Sequence, residues 1–181
     1  MTEAEINKAL DSSDLDIRDK AIRDPHCTPS NINKALNDKS YYIKELAASH
    51  PNASEANINK ALEFNSASAD DIKIEAIENP NATPANIDKA LDDSVFYIRK
   101  LAIMRLNASP ANIDKALNDK SEKIRILAAN HLNASPANID KALNDKSVKI
   151  RLVAVYNPNA TIANKEKASR DPELIEYLLK S

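Results

Sequence analysis

Basic residues recur at a fixed interval along the chain, in a pattern that could contact a phosphate backbone. Seven lysines form one column: Lys8, Lys34, Lys60, Lys89, Lys115, Lys141 and Lys167. Six Lys or Arg residues form a second column: Arg18, Lys44, Lys73, Arg99, Arg125 and Arg151. Evenly spaced cations can follow the phosphates of a nucleic acid, whose charge dominates affinity. The alternative interpretation is a structural ladder, in which each cation bonds a carboxylate or amide of a neighbouring segment.

The other residues with catalytic or metal-binding potential form no recognisable constellation. His26, His50 and His131 lack the spacing of a helical metal site, and we expect them to be satisfied by structural hydrogen bonds. Cys27 is the only cysteine, which excludes a disulfide within the chain and a cysteine-ligated cluster. Glycine is absent, which excludes glycine-rich phosphate loops. The sequence therefore predicts neither an enzyme nor a cofactor or metal site.

The interval that spaces the two basic columns is an internal repeat. Residues 107–121 and 133–147 both read NASPANIDKALNDKS, and related segments recur every 26 residues, except for one interval of 29. Self-similarity with this period is typical of a solenoid, in which each repeat packs only on its neighbours. We predict a single domain over residues 1–181, made of the repeats 1–25, 26–51, 52–80, 81–106, 107–132, 133–158 and 159–181.

Each repeat carries the signals of two short helices. Ser109 followed by Pro110 is a favourable helix start, and Ile113 begins an i, i+3, i+4 apolar stripe. Asp119 is predicted to cap the second helix, with Glu122 as its capping-box partner. An isoleucine opens the stripe of the second helix in six repeats: Ile17, Ile43, Ile72, Ile98, Ile124 and Ile150. The predicted fold is an all-α, right-handed α-solenoid of about seven 26-residue, two-helix repeats.

The repeat resembles the leucine-rich repeat variant and the wider HEAT/armadillo group of α-solenoids. The resemblance rests on the helix SPANIDKALND and on residues 150–161, IRLVAVYNPNAT, in which a helix is followed by Asn-Pro. The resemblance implies a scaffold or a recognition surface. The sequence of the repeat is also similar to repeats of phage-encoded proteins. Some members of the variant family carry an iron–sulfur cluster, which a lone cysteine cannot ligate. HEAT-like repeats also occur in proteins that grip nucleic acid, which keeps that alternative open.

The second helix also carries residues that change from repeat to repeat, on the side away from its apolar stripe. We call these residues the variable stripe. They are Asp16, Asp19 and Arg23; Tyr42, Glu45 and Ser49; Asp71, Ile74 and Glu78; Tyr97, Lys100 and Met104; Lys123, Ile126 and Asn130; and Lys149, Leu152 and Tyr156. A fixed framework beside a changing surface is expected of a ligand-binding face, although a solvated face that drifts neutrally would look the same.

The charge of the variable stripe is divided along the chain. Its members in the first three repeats have a net charge of −4, and those in the next three have a net charge of +3. We predict a non-enzymatic scaffold that binds a protein or an extended peptide through this stripe. The residues expected to make the contacts are Tyr42, Glu45, Asp71, Tyr97, Lys100, Met104, Lys123, Asn130, Lys149 and Tyr156.

Two other functions compete with protein binding. Nucleic-acid binding would use Lys34, Lys60, Lys89, Lys115, Lys141, Arg99, Arg125 and Arg151 of the basic columns. A structural spacer or homo-oligomer is the other alternative. The net charge of −2 and the pI near 6.0 provide no bulk positive charge to attract a nucleic acid or a membrane. We expect a cytoplasmic protein, because no apolar segment approaches a membrane-spanning length and the N-terminus lacks a signal-peptide core.

Overall fold

The computed structural model describes residues 1–66 and 69–180, which form fourteen α-helices and no β-strand. This confirms the predicted all-α fold class. The chain divides into two compact units, Met1–Ala90 and Leu91–Ser181. The boundary separates the two helices of the fourth repeat. The expectation of a single domain over residues 1–181 stays a prediction.

The first compact unit contains seven helices. They are α1 (Glu3–Ala9), α2 (Leu15–Ile22), α3 (Pro29–Ala35), α4 (Tyr41–Ser49), α5 (Glu55–Leu62), α6 (Asp70–Glu78) and α7 (Pro84–Ala90). Helices α1, α3, α5 and α7 contact one another in order, as do α2, α4 and α6. The three additional residues of the third repeat fall in the loop between α5 and α6, of which Ala67 and Ser68 lie outside the described residues.

The second compact unit repeats the same arrangement. Its helices are α8 (Phe96–Ile103), α9 (Pro110–Ala116), α10 (Glu122–Ala129), α11 (Pro136–Ala142), α12 (Val148–Tyr156), α13 (Ile162–Ala168) and α14 (Pro172–Leu179). Helices α9, α11 and α13 contact one another in order, and so do α8, α10, α12 and α14. Equivalent residues of successive repeats are therefore spatial neighbours within each unit. Among the described residues, no helix has the length and apolar character needed to cross a lipid bilayer.

The first helix of each repeat begins where the sequence predicts. The Ser109 side chain accepts a hydrogen bond from the backbone N–H of Asn112, and the Asn112 side chain accepts one from the backbone N–H of Ser109. This capping box satisfies two backbone donors that helix geometry leaves unpaired. Pro110 occupies the first helical position, where its missing N–H has no consequence.

The predicted cap of the second helix is wrong. Helix α10 begins at Glu122 with Ser121 as its N-cap residue, and the Ser121 side chain makes no capping hydrogen bond. The Asp119 side chain instead accepts the backbone N–H of Ser121 in the loop, at 2.7 Å. In the last repeat, the aspartate equivalent to Asp119 does cap its helix: Asp171 accepts hydrogen bonds from the backbone N–H groups of Glu173 and Leu174.

The apolar core consists of isoleucine, leucine and alanine side chains between successive helix pairs. The isoleucines of the second helices, Ile43, Ile72, Ile98, Ile124 and Ile150, are fully buried. Ile17 of the first repeat departs from this column, since it is 45% exposed.

Candidate functional site

The arginines of the second basic column form buried ion pairs between successive repeats. Arg125 donates from Nε to Asp145 Oδ2 at 2.7 Å, and the two side chains are 7% and 10% exposed. The same contact joins Arg18 to Asp38, Arg99 to Asp119 and Arg151 to Asp171, at 2.8, 2.7 and 2.6 Å. Each aspartate belongs to the repeat that follows its arginine. This is the geometry of a structural ladder.

Each of these arginines also stabilises the loop of its own repeat. Nη1 of Arg125 donates to the backbone carbonyl of Asp119 at 2.9 Å and to that of Lys120 at 3.4 Å. Arg99 makes equivalent bonds to the carbonyls of Asp93 and Ser94, at 2.9 and 3.0 Å. The guanidinium therefore connects two successive loops. A phosphate could reach it only by displacing a buried carboxylate.

The ladder lowers the pKa of Asp119, Asp145 and Asp171. Burial raises the pKa of Asp119, but hydrogen bonds from Arg99 and from the N–H of Ser121 lower it by more, so that its pKa lies below the usual range. The pKa of Asp145 is lowered for the same reasons, through Arg125 and the N–H of Ser147. These carboxylates are therefore charged at neutral pH, and they occupy the arginines that a phosphate would need.

Lys44 departs from the ladder in the irregular part of the chain. Its Nζ lies 4.9 Å from the ring centroid of Phe64 and 5.1 Å from that of Tyr41. Phe64 stands in the loop of the third repeat, where other repeats supply the aspartate. Two aromatic rings thus take the place of a carboxylate as the partner of the cation.

The lysines of the first helices also contact the preceding repeat. Nζ of Lys141 donates to Oδ1 and to the backbone carbonyl of Asp114, at 2.8 and 2.9 Å. Lys60 makes the same two contacts with Asn33, at 2.8 and 3.2 Å. The other predicted phosphate contacts of this column also carry partners: Lys34 pairs with Asp11, Lys89 with Glu63 and Lys115 with Asp92. These pairs are more exposed than the arginine pairs, and each contributes little to stability.

Asparagine side chains form two further ladders, which the sequence analysis missed. Asn138 is buried in α11, where its Oδ1 accepts the N–H of Ser135 at 2.9 Å and its Nδ2 donates to the carbonyl of Pro110 in the preceding repeat at 3.1 Å. Asn133 lies at the start of its repeat and donates to the carbonyls of Leu106 and Ala108, at 2.7 and 3.1 Å. The recurrence of these asparagines in nearly every repeat was the signal that could have found them.

The histidines and the cysteine have structural roles. Nδ1 of His131 accepts the N–H of Asn133 at 3.0 Å, so that Nε2 carries the hydrogen and donates to the carbonyl of Arg105, also at 3.0 Å. His50 makes the equivalent contacts with Asn52 and with the carbonyl of Asp24, as expected of satisfied histidines. Burial raises the pKa of the Cys27 thiol to about 11, which leaves it protonated and unreactive. No group of side chains suited to holding a metal ion occurs in the described ranges.

The variable stripe lies in solvent, in contrast to the two basic columns. Among the predicted contact residues, Tyr42, Asp71, Tyr97, Met104, Lys123, Asn130, Lys149 and Tyr156 are exposed, and Glu45 and Lys100 are half-buried. The exposed fraction reaches 46% for Tyr97, 52% for Met104 and 71% for Tyr156. The four aromatic and apolar residues among them, Tyr42, Tyr97, Met104 and Tyr156, are thus available to a partner.

In the first compact unit, the stripe is contiguous and acidic. Arg23 donates to Asp19 at 2.9 Å and to the hydroxyl of Tyr42 at 2.7 Å, which joins the stripe residues of the first two repeats. Burial raises the pKa of Glu45, and the negative charges of Asp71 and Glu75 raise it further. The carboxylates of the second and third repeats are therefore close enough to repel one another.

In the second compact unit, the stripe is basic and more apolar. It contains Lys100, Lys123 and Lys149 and no acidic residue. Nζ of Lys100 lies 5.7 Å from the ring centroid of Tyr97. Ile126 and Leu152, at the position equivalent to Lys100, are half-buried. The two units therefore present stripes of opposite charge.

The helix pairs and the ladders that join them define the class of the fold, an all-α repeat solenoid. A solved structure described as "a leucine-rich repeat variant with a novel repetitive protein structural motif" is similar, with a TM-score of 0.52 and 13% sequence identity. The match covers 98% of this chain and 80% of that structure. It confirms the predicted likeness of fold to the leucine-rich repeat variant. Comparisons with protein families and with curated proteins give no match.

Proposed function

We propose that this chain is a non-enzymatic repeat scaffold that binds a protein or an extended peptide through its variable stripe. One contrast carries the proposal. Most of the cations that recur from repeat to repeat are bonded to a neighbouring repeat, as in Arg125 with Asp145 and Lys141 with Asp114. The residues that change between repeats, such as Tyr97, are exposed. The fold thus explains why the paired cations recur, and the exposed residues that vary are available to recognise a partner.

The composition of the variable stripe suits a protein partner. Tyrosine and methionine provide large contact areas and are common among the residues that dominate interface energies. The charges of Lys123 and Lys149 would add orientation and speed of encounter more than affinity. Because the stripe crosses successive helices at the spacing of the repeat, it favours an extended segment that contacts one repeat after another.

Quantitative affinity capture tests this function. The baits are the wild-type chain, the variant Tyr97→Ala with Lys123→Glu, and the control Lys120→Glu, which reverses an exposed charge of the same repeat in a loop outside the stripe. We expect the stripe variant to lose its protein partners at least about tenfold, and the control to retain them. Retention of every partner by the stripe variant, with an unchanged circular dichroism spectrum, would refute the proposal.

A further inference from the structure

The two compact units carry faces of opposite charge on equivalent parts of their repeats. We define the acidic face by Asp16, Asp19, Glu45 and Asp71 of the first unit, and the basic face by Lys100, Lys123 and Lys149 of the second. Arg23 is the one basic residue in the first unit's stripe, and it bonds Asp19 of the same face. The net negative charge of the acidic face therefore comes from Asp16, Glu45 and Asp71.

Apart from Asp19, which pairs with Arg23, the charges that define the two faces take part in no ion pair among the described residues. Among residues 1–66 and 69–180, no ion pair involves Lys123 or Lys149, whereas Lys115 and Lys141 of the first helices are paired. In the acidic face, Glu45 lies close enough to Asp71 and Glu75 to experience their repulsion. Charges of one sign on each face are the arrangement in which a partner of opposite sign gains the most from electrostatic complementarity.

Apolar side chains accompany the charges of the basic face. Met104 and Tyr156 of the stripe are 52% and 71% exposed, and Leu106 and Leu132, at the ends of the fourth and fifth repeats, are 79% and 64% exposed. The acidic face contributes Tyr42, which is 44% exposed, to the same kind of contact. Both faces therefore combine groups that could anchor the centre of a protein interface with charges of the kind found at its rim.

We propose that the basic face of one copy of this chain binds the acidic face of a second copy. The complementary charges supply the attraction, and the shared repeat sets the same spacing between charged rows on both faces, about 8–10 Å for packed helices. This inference rests on the proposed function, because it names a second copy as the partner of the same stripe. The contact joins two different surfaces, so it forms either twice in a reciprocal two-fold dimer or once in a heterologous contact that leads to open chains or closed rings.

Sedimentation velocity of the full chain at increasing concentration tests this inference. We expect the average mass to rise with concentration at low salt and to fall towards the monomer at high salt, because screening weakens exposed charge pairs. Lys123→Glu with Lys149→Glu should raise the dissociation constant at least about tenfold. Glu45→Lys with Asp71→Lys should have the same effect. An equimolar mixture of the two double variants should associate again, because each then offers the charge that the other lacks.

Matched controls separate this contact from other modes of association. Lys120→Glu with Lys146→Glu reverses two exposed charges of the same two repeats outside the stripe, and it should associate as the wild type does. Leu178→Glu alters α14, in which Leu178 and Leu179 are exposed. Association that survives both charge reversals, or that only Leu178→Glu abolishes, would overturn the inference. If a double variant fails to fold, Lys123→Gln with Lys149→Gln replaces it, and an unchanged dissociation constant would count equally against the proposal.

The outcome also distinguishes this inference from the proposed function. A chain that stays monomeric at low salt and at every concentration overturns self-association. If the variant Tyr97→Ala with Lys123→Glu still loses its captured partners, the stripe is a binding face for a different protein. If the capture experiment fails as well, the proposed function fails with it.

Discussion

Removal of the Arg125 guanidinium is the sharpest perturbation of the ladder that joins the repeats. Arg125→Ala would delete two hydrogen bonds to the Asp145 carboxylate, of 2.7 and 3.4 Å, and two to backbone carbonyls. The Asp145 carboxylate would keep the N–H of Ser147 but would lose the guanidinium that forms its ion pair, in a site where it is 10% exposed. Breaking a buried pair in this way destabilises a protein by about 3–5 kcal/mol.

Lys141→Ala is the matched comparison, because it breaks an ion pair between the same two repeats. Nζ of Lys141 lies 2.8 Å from Asp114 Oδ1, but the two side chains are 34% and 54% exposed. An exposed pair contributes about 0–1 kcal/mol, since water replaces the lost partner. We therefore expect Arg125→Ala to lower the free energy of unfolding by about 2–5 kcal/mol more than Lys141→Ala does.

Urea unfolding followed by circular dichroism measures both variants. The double variant Arg125→Ala with Asp145→Ala should recover part of the loss, because it removes the uncompensated carboxylate, and the cycle yields the coupling energy of the pair. Hydrogen exchange should report faster opening in the loops around Asp119 and Asp145 before the other repeats, as expected for units that contact only their neighbours. Equal losses for Arg125→Ala and Lys141→Ala would show that the buried ladder is not what holds these repeats together.

Three further predictions follow from the same contacts. Burial lowers the pKa of His50, so the neutral ring contributes stability above its unfolded pKa of about 6.5, and this stability is lost as the pH falls through the folded pKa. The variant His50→Asn places at this position the residue that other repeats have in Asn79 and Asn157. It should reduce the change in the urea unfolding midpoint between about pH 7 and about pH 5. Cys27 donates to the carbonyl of Ala21 at 3.2 Å and should react with a thiol reagent only in denaturant; rapid modification of the native chain would contradict its buried state. A gel-shift assay at low salt should detect no binding of duplex DNA by the basic columns, because their arginines are paired; a shift that arginine variants of the ladder abolish would reverse this assignment.

The local features of the fold could be predicted because they depend on a few adjacent residues. Ser109 and Pro110 fix the start of α9 through bonds within one turn, and the i, i+3, i+4 pattern fixes which side of each helix is buried. The repeat then extends these features along the whole chain. Asparagine is abundant in the sequence and tolerates positive φ angles, but the described residues contain none. Asn133 and Asn138 instead bond the preceding repeat.

The predictions that were wrong, or that stay untested, concern features that depend on contacts between repeats or with a partner. Asp119 resembles a helix cap in sequence, but its principal side-chain partner is Arg99 of the preceding repeat, which no local pattern reveals. Ile17 matches its column in sequence but is exposed, whereas the equivalent isoleucines of the next five repeats are buried. The exposure of Tyr97 and Lys123 agrees with a binding face, whereas the identity of the partner depends on a second surface that the sequence does not contain.

Quantitative acetylation of lysines, followed by mass spectrometry, tests most directly whether the variable stripe is the binding face. The chain is labelled alone and with the captured partner or, if it self-associates, below and above the association midpoint. The account predicts that Lys123 and Lys149 lose reactivity in the complex while Lys115 and Lys141 keep theirs. Protection of Lys115 and Lys141, with Lys123 and Lys149 unchanged, would contradict it and would move the binding site to the first-helix column.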